Sequence, residues 1–258
     1  MSGEGDDHFV CFLRTEVIIC LSSNFRYCRK FNPDKNMTKN DNNGIAGNYV
    51  FKIELRGITP KIWRRVKVDP STSLDEFHVI IQVAMGWRNY SFHKFLHKGK
   101  EYYIDPDTEF DDGWEQRMED GTYMKHNIDL NEMDLKVGDK IYYEYDAWQH
   151  NIIFEKIVDS VEDKDERLPV LMAGRCACPP ENIGGKWGYA RMLELLKTKG
   201  EGKHKVAYEN RISELYMWSH IDTPDEEFDP KKYDLKRFQG RFHSDIDWQL
   251  YERPTFFC

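Results

Sequence analysis

Period-two alternation opens the organised part of the chain at residue 49. Tyr49-Val50-Phe51-Lys52-Ile53-Glu54-Leu55 is aromatic or β-branched at many positions and predicts a strand. Arg56-Gly57-Ile58-Thr59-Pro60 supplies a turn. Residues 62–68 predict a second strand with Ile62, Arg64, Val66 and Val68 on one face, ended by Asp69-Pro70. The pattern then switches to a helical period. Ser73 followed three residues later by Glu76 is a capping box, Leu74, Phe77, His78, Ile81, Ala84 and Met85 form one apolar stripe, and Gly86 stops the helix. Short strands are expected over 92–97 and 101–104, a turn at 130–135, a strand at 141–145, and its hairpin partner at 151–158 across residues 146–150. A helix is predicted over 189–197 with Met192, Leu193, Leu195 and Leu196 as its apolar side. Another is predicted over 211–220, and a last one from Asp229-Pro230, where proline suits a first turn.

The order strand, strand, helix, strands, short turn, strand predicts an α+β fold: a β-grasp-like mixed sheet wrapped on one helix, with a C-terminal helical extension. Residues 1–47 read as a flexible extension, since 32–47 are rich in Asn, Asp, Lys and Gly with little to bury. Residues 48–243 read as the domain, with a core at 49–160 and a loop and helices at 161–243, and residues 244–258 read as a tail.

Composition narrows the function classes. At 258 residues with 40% hydrophobic content, the chain can bury a sizeable core, and its net charge of −8 opposes nonspecific binding to phosphate backbones. Its six cysteines include no Cys-x-x-Cys pair and predict reduced thiols in an intracellular, cytoplasmic protein. Residues 9–21 are apolar but interrupted by Arg14 and Glu16, which fits neither a secretory signal nor a membrane span.

Residues 173–189 are aperiodic and conformationally demanding, with Pro179-Pro180 and glycines at 174, 184, 185 and 188. This loop belongs to a set of segments in a specific order. Ile58-Thr59-Pro60-Lys61-Ile62-Trp63-Arg64-Arg65, Ala84-Met85-Gly86-Trp87, His93-Lys94-Phe95, Tyr143-Glu144-Tyr145-Asp146, Trp148-Gln149-His150, the loop, and Phe228-Asp229-Pro230-Lys231-Lys232-Tyr233-Asp234 resemble the plasmid pRiA ORF-three-like family over roughly residues 49–240. Members are often labelled transposon passenger resolvases. The resemblance implies an α+β domain and no established activity. The chain shows neither the serine nor the tyrosine recombinase constellation, and no helix-turn-helix pattern. It also departs from the family pattern by lacking one histidine before Phe95, by a shorter Asp146-Ala147-Trp148 turn, and by Glu181-Asn182 where the family favours Glu-Asp.

The candidate binding surface comprises Trp148, His150, Glu181, Asn182 and His93, with Trp148 stacking on a ligand and His150 hydrogen-bonding it from the hairpin turn. Convergence of His93, Asp146, His150, Cys176, Cys178 and Glu181 would instead suit zinc and hydrolysis. An extended Cys-x-Cys projects its thiols in opposite directions, so Cys176 and Cys178 read better as loop anchors, and no metal or cofactor is expected. Trp63 and Trp87 are expected in the core, with Arg64 and Arg65 paired to carboxylates, and the acidic stretch 105–120 as a solvated loop. The function expected is binding of a protein or small ligand, without membrane contact, rather than catalysis. The alternatives are a metal-assisted hydrolase using the same loop, and nucleic-acid processing on the family label alone.

Overall fold

Two short strands, β1 (Val10–Leu13) and β2 (Glu16–Ile19), pair antiparallel within the first of the two units into which the chain divides, Met1–Gly44 and Ile45–Cys258. The computed structural model describes residues 10–13, 16–19, 47–103, 115–117, 123–125, 128–159, 166–198, 209 and 228–252. The linker expected before residue 47, most of the acidic stretch 105–120 and the helix expected at 211–220 lie outside them.

In the second unit, β3 (Asn48–Leu55) and β4 (Trp63–Val68) are followed by α1 (Leu74–Met85), β5 (His93–His97) and β6 (Lys100–Tyr103). Two short strands, β7 (Glu115–Arg117) and β8 (Tyr123–Lys125), pair with each other. After a 3-10 turn, Leu130–Met133, come β9 (Lys140–Tyr145), β10 (Trp148–Val158) and β11 (Val170–Arg175). The chain continues through α2 (Gly185–Thr198) to α3 (Leu235–Asp247), which runs into a π-helical turn, Trp248–Glu252.

Seven strands form one sheet in the order β11-β4-β3-β10-β9-β5-β6. The α+β class is as expected, but every described pairing in this sheet is antiparallel, which corrects the mixed sheet of the sequence reading. The parallel pair characteristic of a β-grasp is not among these pairings.

Helix α1 forms where the capping box predicts it: Ser73 Oγ accepts from Glu76 N at 3.3 Å and Glu76 Oε2 accepts from Ser73 N at 3.1 Å. Gly86 closes it at φ 82, a left-handed conformation open to glycine. Every α1 residue except Asp75 and Glu76 is buried. A helix buried all round needs cover on both sides. One side is the sheet, where Phe77 packs on Phe51 and Phe95. The other is α3 with its π turn. Helix α3 begins at Leu235, capped by Asp234, later than Asp229-Pro230 predicted, and it continues through residue 247 where a tail was expected.

Strand alternation sends Arg64, not Trp63, into the interior. Trp63 is half-buried on the outer face between Lys52 and Arg65, and Arg65 pairs with Glu155 as expected. Arg64 is buried, and among the described residues it has no carboxylate partner. Its Nε donates to Ala84 O at 2.9 Å and its Nη1 to Trp63 O at 2.8 Å and Arg175 O at 3.1 Å, while Tyr233 stacks at 3.8 Å. The carbonyl end of α1 is the negative end of the helix dipole, so it partly compensates this desolvated cation. One side chain thereby ties together α1, β11 and the segment before α3.

Candidate functional site

Four connections meet at one end of the sheet: residues 56–62 between β3 and β4, residues 86–92 between α1 and β5, the β9–β10 turn, and the loop after β11. The β9–β10 turn is only two residues long. Tyr145 pairs directly with Trp148, and Asp146 takes φ 47. Trp148 and His150 therefore lie in β10 rather than in the turn. Continuing the alternation of Ile152 and Phe154, both face the core and both are buried.

The proline loop is bound from inside by aromatic residues. Prolines lack an amide donor, but the loop carbonyls remain acceptors. Trp87 Nε1 donates to Pro179 O at 2.9 Å, and Trp148 Nε1 donates to Glu181 O at 2.7 Å. The Trp87 ring lies at 5.5 Å from Trp148 and 5.6 Å from Tyr145. Trp87 is thus in the core, as expected.

Glu181 is the central polar group of this end. Its buried carboxylate accepts from Arg88 N at 2.7 Å, from Tyr90 N at 3.2 Å and from the Tyr145 hydroxyl. Burial, together with the neighbouring Glu181 charge, raises the Tyr145 phenol far above its usual range, so that hydroxyl is a permanent donor. The glutamate proposed from sequence as a surface contact is instead the internal clamp that joins the proline loop to residues 86–92.

The loop also rests on the hairpin. At Gly185, with φ +64, an added Cβ would lie 2.8 Å from Ala147 O. At Gly188 it would lie 1.7 Å from Ile183 O, so the loop packs directly on the first turn of α2. Gly188→Ala is expected to lower stability by about 1–3 kcal/mol through this overlap, read as a lower urea midpoint. An unchanged midpoint would show that the loop can yield.

Behind the clamp lies a polar cluster that the motifs only partly revealed. His78 Nε2 donates to Asn89 Oδ1 at 2.7 Å, so Nδ1 accepts from the Tyr143 hydroxyl at 2.7 Å, and that hydroxyl accepts from Gln82 Nε2 at 2.8 Å. The His93 ring stacks on His78 at 3.4 Å, and its Nε2 is buried without a hydrogen-bond partner among the described residues. His150 lies 5.2 Å from Tyr143 and 5.5 Å from Trp87, with neither ring nitrogen in hydrogen-bonding geometry. Burial pushes His93 down to about 4 and His150 down to about 3, the latter only partly offset by the nearby Tyr143 backbone.

The six residues weighed for zinc do not converge. Cys176 is buried at φ 64, and the Cys178 thiol points at Met85 Sδ, 3.7 Å away. Burial pushes that thiol up to about 12 despite the nearby Arg64 charge. Asp146 is exposed on its turn and Glu181 is engaged by three donors. Among the described residues, no group of three His, Cys, Asp or Glu side chains is placed to hold a metal.

Outside this frame, the same end presents apolar surface. Phe92 is 64% exposed, Tyr90 46% and Trp187 78%, and Asn182 and Lys186 are exposed beside them in sequence. Tyr90 lies in the segment clamped by Glu181 and Phe92 follows it, and Phe92 O accepts from Asp146 N at 3.1 Å. Of the site residues read from sequence, only Asn182 is at the surface. The exposed aromatics were missed, although Gly184-Gly185-Lys186-Trp187-Gly188 is a local signal for a tryptophan held away from a core.

An α+β domain with an aromatic-backed proline loop at one end of an antiparallel sheet is the class of protein these features define. Residues 47–237 match the model of the family described as plasmid pRiA4b ORF-3-like protein, and the chain belongs to that family. It is 28% identical over 165 residues to the uncharacterized protein y4hQ of Sinorhizobium fredii (strain NBRC 101917 / NGR234), covering 64% of this chain and 81% of that one. A crystal structure of a protein of unknown function, MM3350 from Methanosarcina mazei Go1, is similar at a TM-score of 0.56 and 28% identity, covering 73% of this chain and 94% of that chain.

Proposed function

We propose that the chain is a binding module whose recognition surface is the loop-lined end of the sheet. The supporting observation is the pairing of exposed Tyr90, Phe92 and Trp187 with the hydrogen bonds of Glu181 and Trp148 beneath them. Exposed aromatics offer large contact area, and a rigid backbone reduces the ordering cost of binding. Asn182 and Lys186 are the polar contacts of this surface. Trp148, His150, Glu181 and His93 act beneath it, fixing its shape. The partner is a protein, and the module works inside the cell. Residues 48–243 carry this function, and residues 1–47 are an appendage to it. No described helix is long and apolar enough to cross a membrane.

Site-specific photo-crosslinking tests the surface. A photoreactive phenylalanine analogue at position 187 or 92 is expected to capture one defined partner that the same analogue at exposed Val137 does not. Equal capture from all three positions would remove the surface from consideration.

A further inference from the structure

Beside the aromatic surface lies a cleft of about 380 Å³ at the β3–β4 turn, lined by Glu54, Arg56, Gly57, Thr59, Lys61 and Asn151 among others. Its charges are unequal. Among the described residues, Glu54 is the only carboxylate in its wall, and it is buried. That carboxylate is bound by Lys52 Nζ at 2.7 Å and Lys61 Nζ at 3.3 Å. Burial opposes its ionisation, yet the two lysines outweigh that effect and hold its pKa below the ordinary value. Its charge is therefore already neutralised.

The cations at the rim are not. Arg56 and Lys186 are exposed, and neither has a carboxylate partner among the described residues. Lys186 lies over Gly57: an added Cβ there would meet its Cδ at 3.1 Å and its Nζ at 3.8 Å. Each cation also sits on an exposed aromatic ring. The Arg56 guanidinium is 5.5 Å from the Tyr142 centroid, and Lys186 Nζ is 5.2 Å from that of Trp187. Among the described residues, the acids at this end of the β9–β10 hairpin are Glu144, which is paired with Lys94, and exposed Asp146 on the turn. A locally positive cleft on a chain of net charge −8 is a departure from the average that selects its partner by charge.

We infer that this cleft receives the carboxylates of an acidic segment of the partner protein, whose apolar side chains rest on Trp187 and Tyr142. The inference builds on the proposed binding surface and names the chemistry of its occupant. Arg56 supplies a planar fork suited to a carboxylate, and Lys186 a mobile point charge. The rings beneath them contribute apolar contact while orienting both cations. A nucleic-acid strand would meet only a few cations here, against the repulsion of the whole chain.

The test uses the full chain and fluorescence anisotropy with three labelled probes: a peptide of alternating Glu and Tyr, its Gln-Tyr counterpart, and an oligothymidylate. The Glu-Tyr peptide is expected to bind, to weaken with added salt, and to bind at least about tenfold more weakly to an R56E/K186E protein. R56Q/K186Q is expected to lie between, with thermal melts showing that both variants remain folded. Equal binding of the Gln-Tyr peptide would overturn the acidic assignment and leave the aromatic surface standing. Binding of the oligothymidylate alone would overturn it in favour of nucleic acid. If no probe binds while crosslinking through residue 187 still captures one partner, the acidic assignment falls alone. If that crosslinking also fails, both readings fall.

Discussion

Glu181→Ala is expected to remove about 3–5 kcal/mol of stability, a large part of the 5–15 kcal/mol typical of a domain. The wild-type carboxylate takes hydrogen bonds from Arg88 N, Tyr90 N and the Tyr145 hydroxyl. Alanine leaves Arg88 N and the Tyr145 hydroxyl without this acceptor, at about 1–3 kcal/mol for each that stays out of water, while Tyr90 N keeps its 2.8 Å bond to the Tyr145 oxygen. Glu181→Gln keeps one acceptor oxygen but turns an amide N–H₂ toward at least one donor, so an intermediate loss is expected. Urea denaturation of both variants, combined with Tyr145→Phe in a double-mutant cycle, measures the coupling between the Tyr145 hydroxyl and the carboxylate. Amide exchange at Arg88 should accelerate in Glu181→Ala well beyond the change in global stability. A loss under about 1 kcal/mol, or unchanged exchange, would mean that water replaces the carboxylate.

The same substitution connects stability to function. Tyr90 and Phe92 owe their placement to the clamped segment between α1 and β5. Releasing it should reduce crosslinking from position 92 more than from position 187, because α2 holds Trp187 independently. Proportional loss at both positions would indicate general unfolding rather than a local release.

Local rules made much of the fold legible. Helix α1 announced itself because the capping box, the apolar stripe and the terminal glycine all agree, and such agreement is hard to produce by chance. The β9–β10 hairpin was legible in its strands but not in its turn, since Asp146-Ala147 contains no glycine to mark the positive φ that Asp146 adopts. That misplacement carried Trp148 and His150 from the core to an imagined surface. Arg64 was illegible for a different reason. Its partners are backbone carbonyls of its own neighbour Trp63 and of two distant segments, and no sequence pattern encodes where carbonyls gather. Glu181 resembles any loop glutamate until Tyr145 and the 86–92 segment are placed beside it. Antiparallel pairing across the sheet likewise depends on long-range contacts that alternation alone does not determine.

Acid should destabilise the protein through its buried histidines. In the folded chain His93 titrates at about 4 and His150 at about 3, both held down by burial. In the unfolded chain imidazoles titrate near 6.5. Between these limits the unfolded state binds protons that the folded state refuses, so stability falls as pH drops below about 6.5. The loss attributable to His93 levels off near 4 and that of His150 near 3, where the folded state takes up the same protons. At about 1.4 kcal/mol per unit, the limits are about 3 kcal/mol for His93 and about 5 kcal/mol for His150. The stacked His78 ring reinforces the effect, since a charge on His93 would lie 3.4 Å from a ring already committed to Tyr143 and Asn89. His150→Phe should flatten the acid limb of a stability–pH profile by removing the deeper contribution, while its packing between Trp87 and Tyr143 keeps the neutral-pH value within about 1.5 kcal/mol. Urea midpoints measured from pH 7 down to the onset of acid unfolding read the slope directly. A wild-type profile that is flat down to pH 5 would mean that one of these rings finds a proton acceptor in solution, and an unchanged slope in His150→Phe would assign the acid response to other groups.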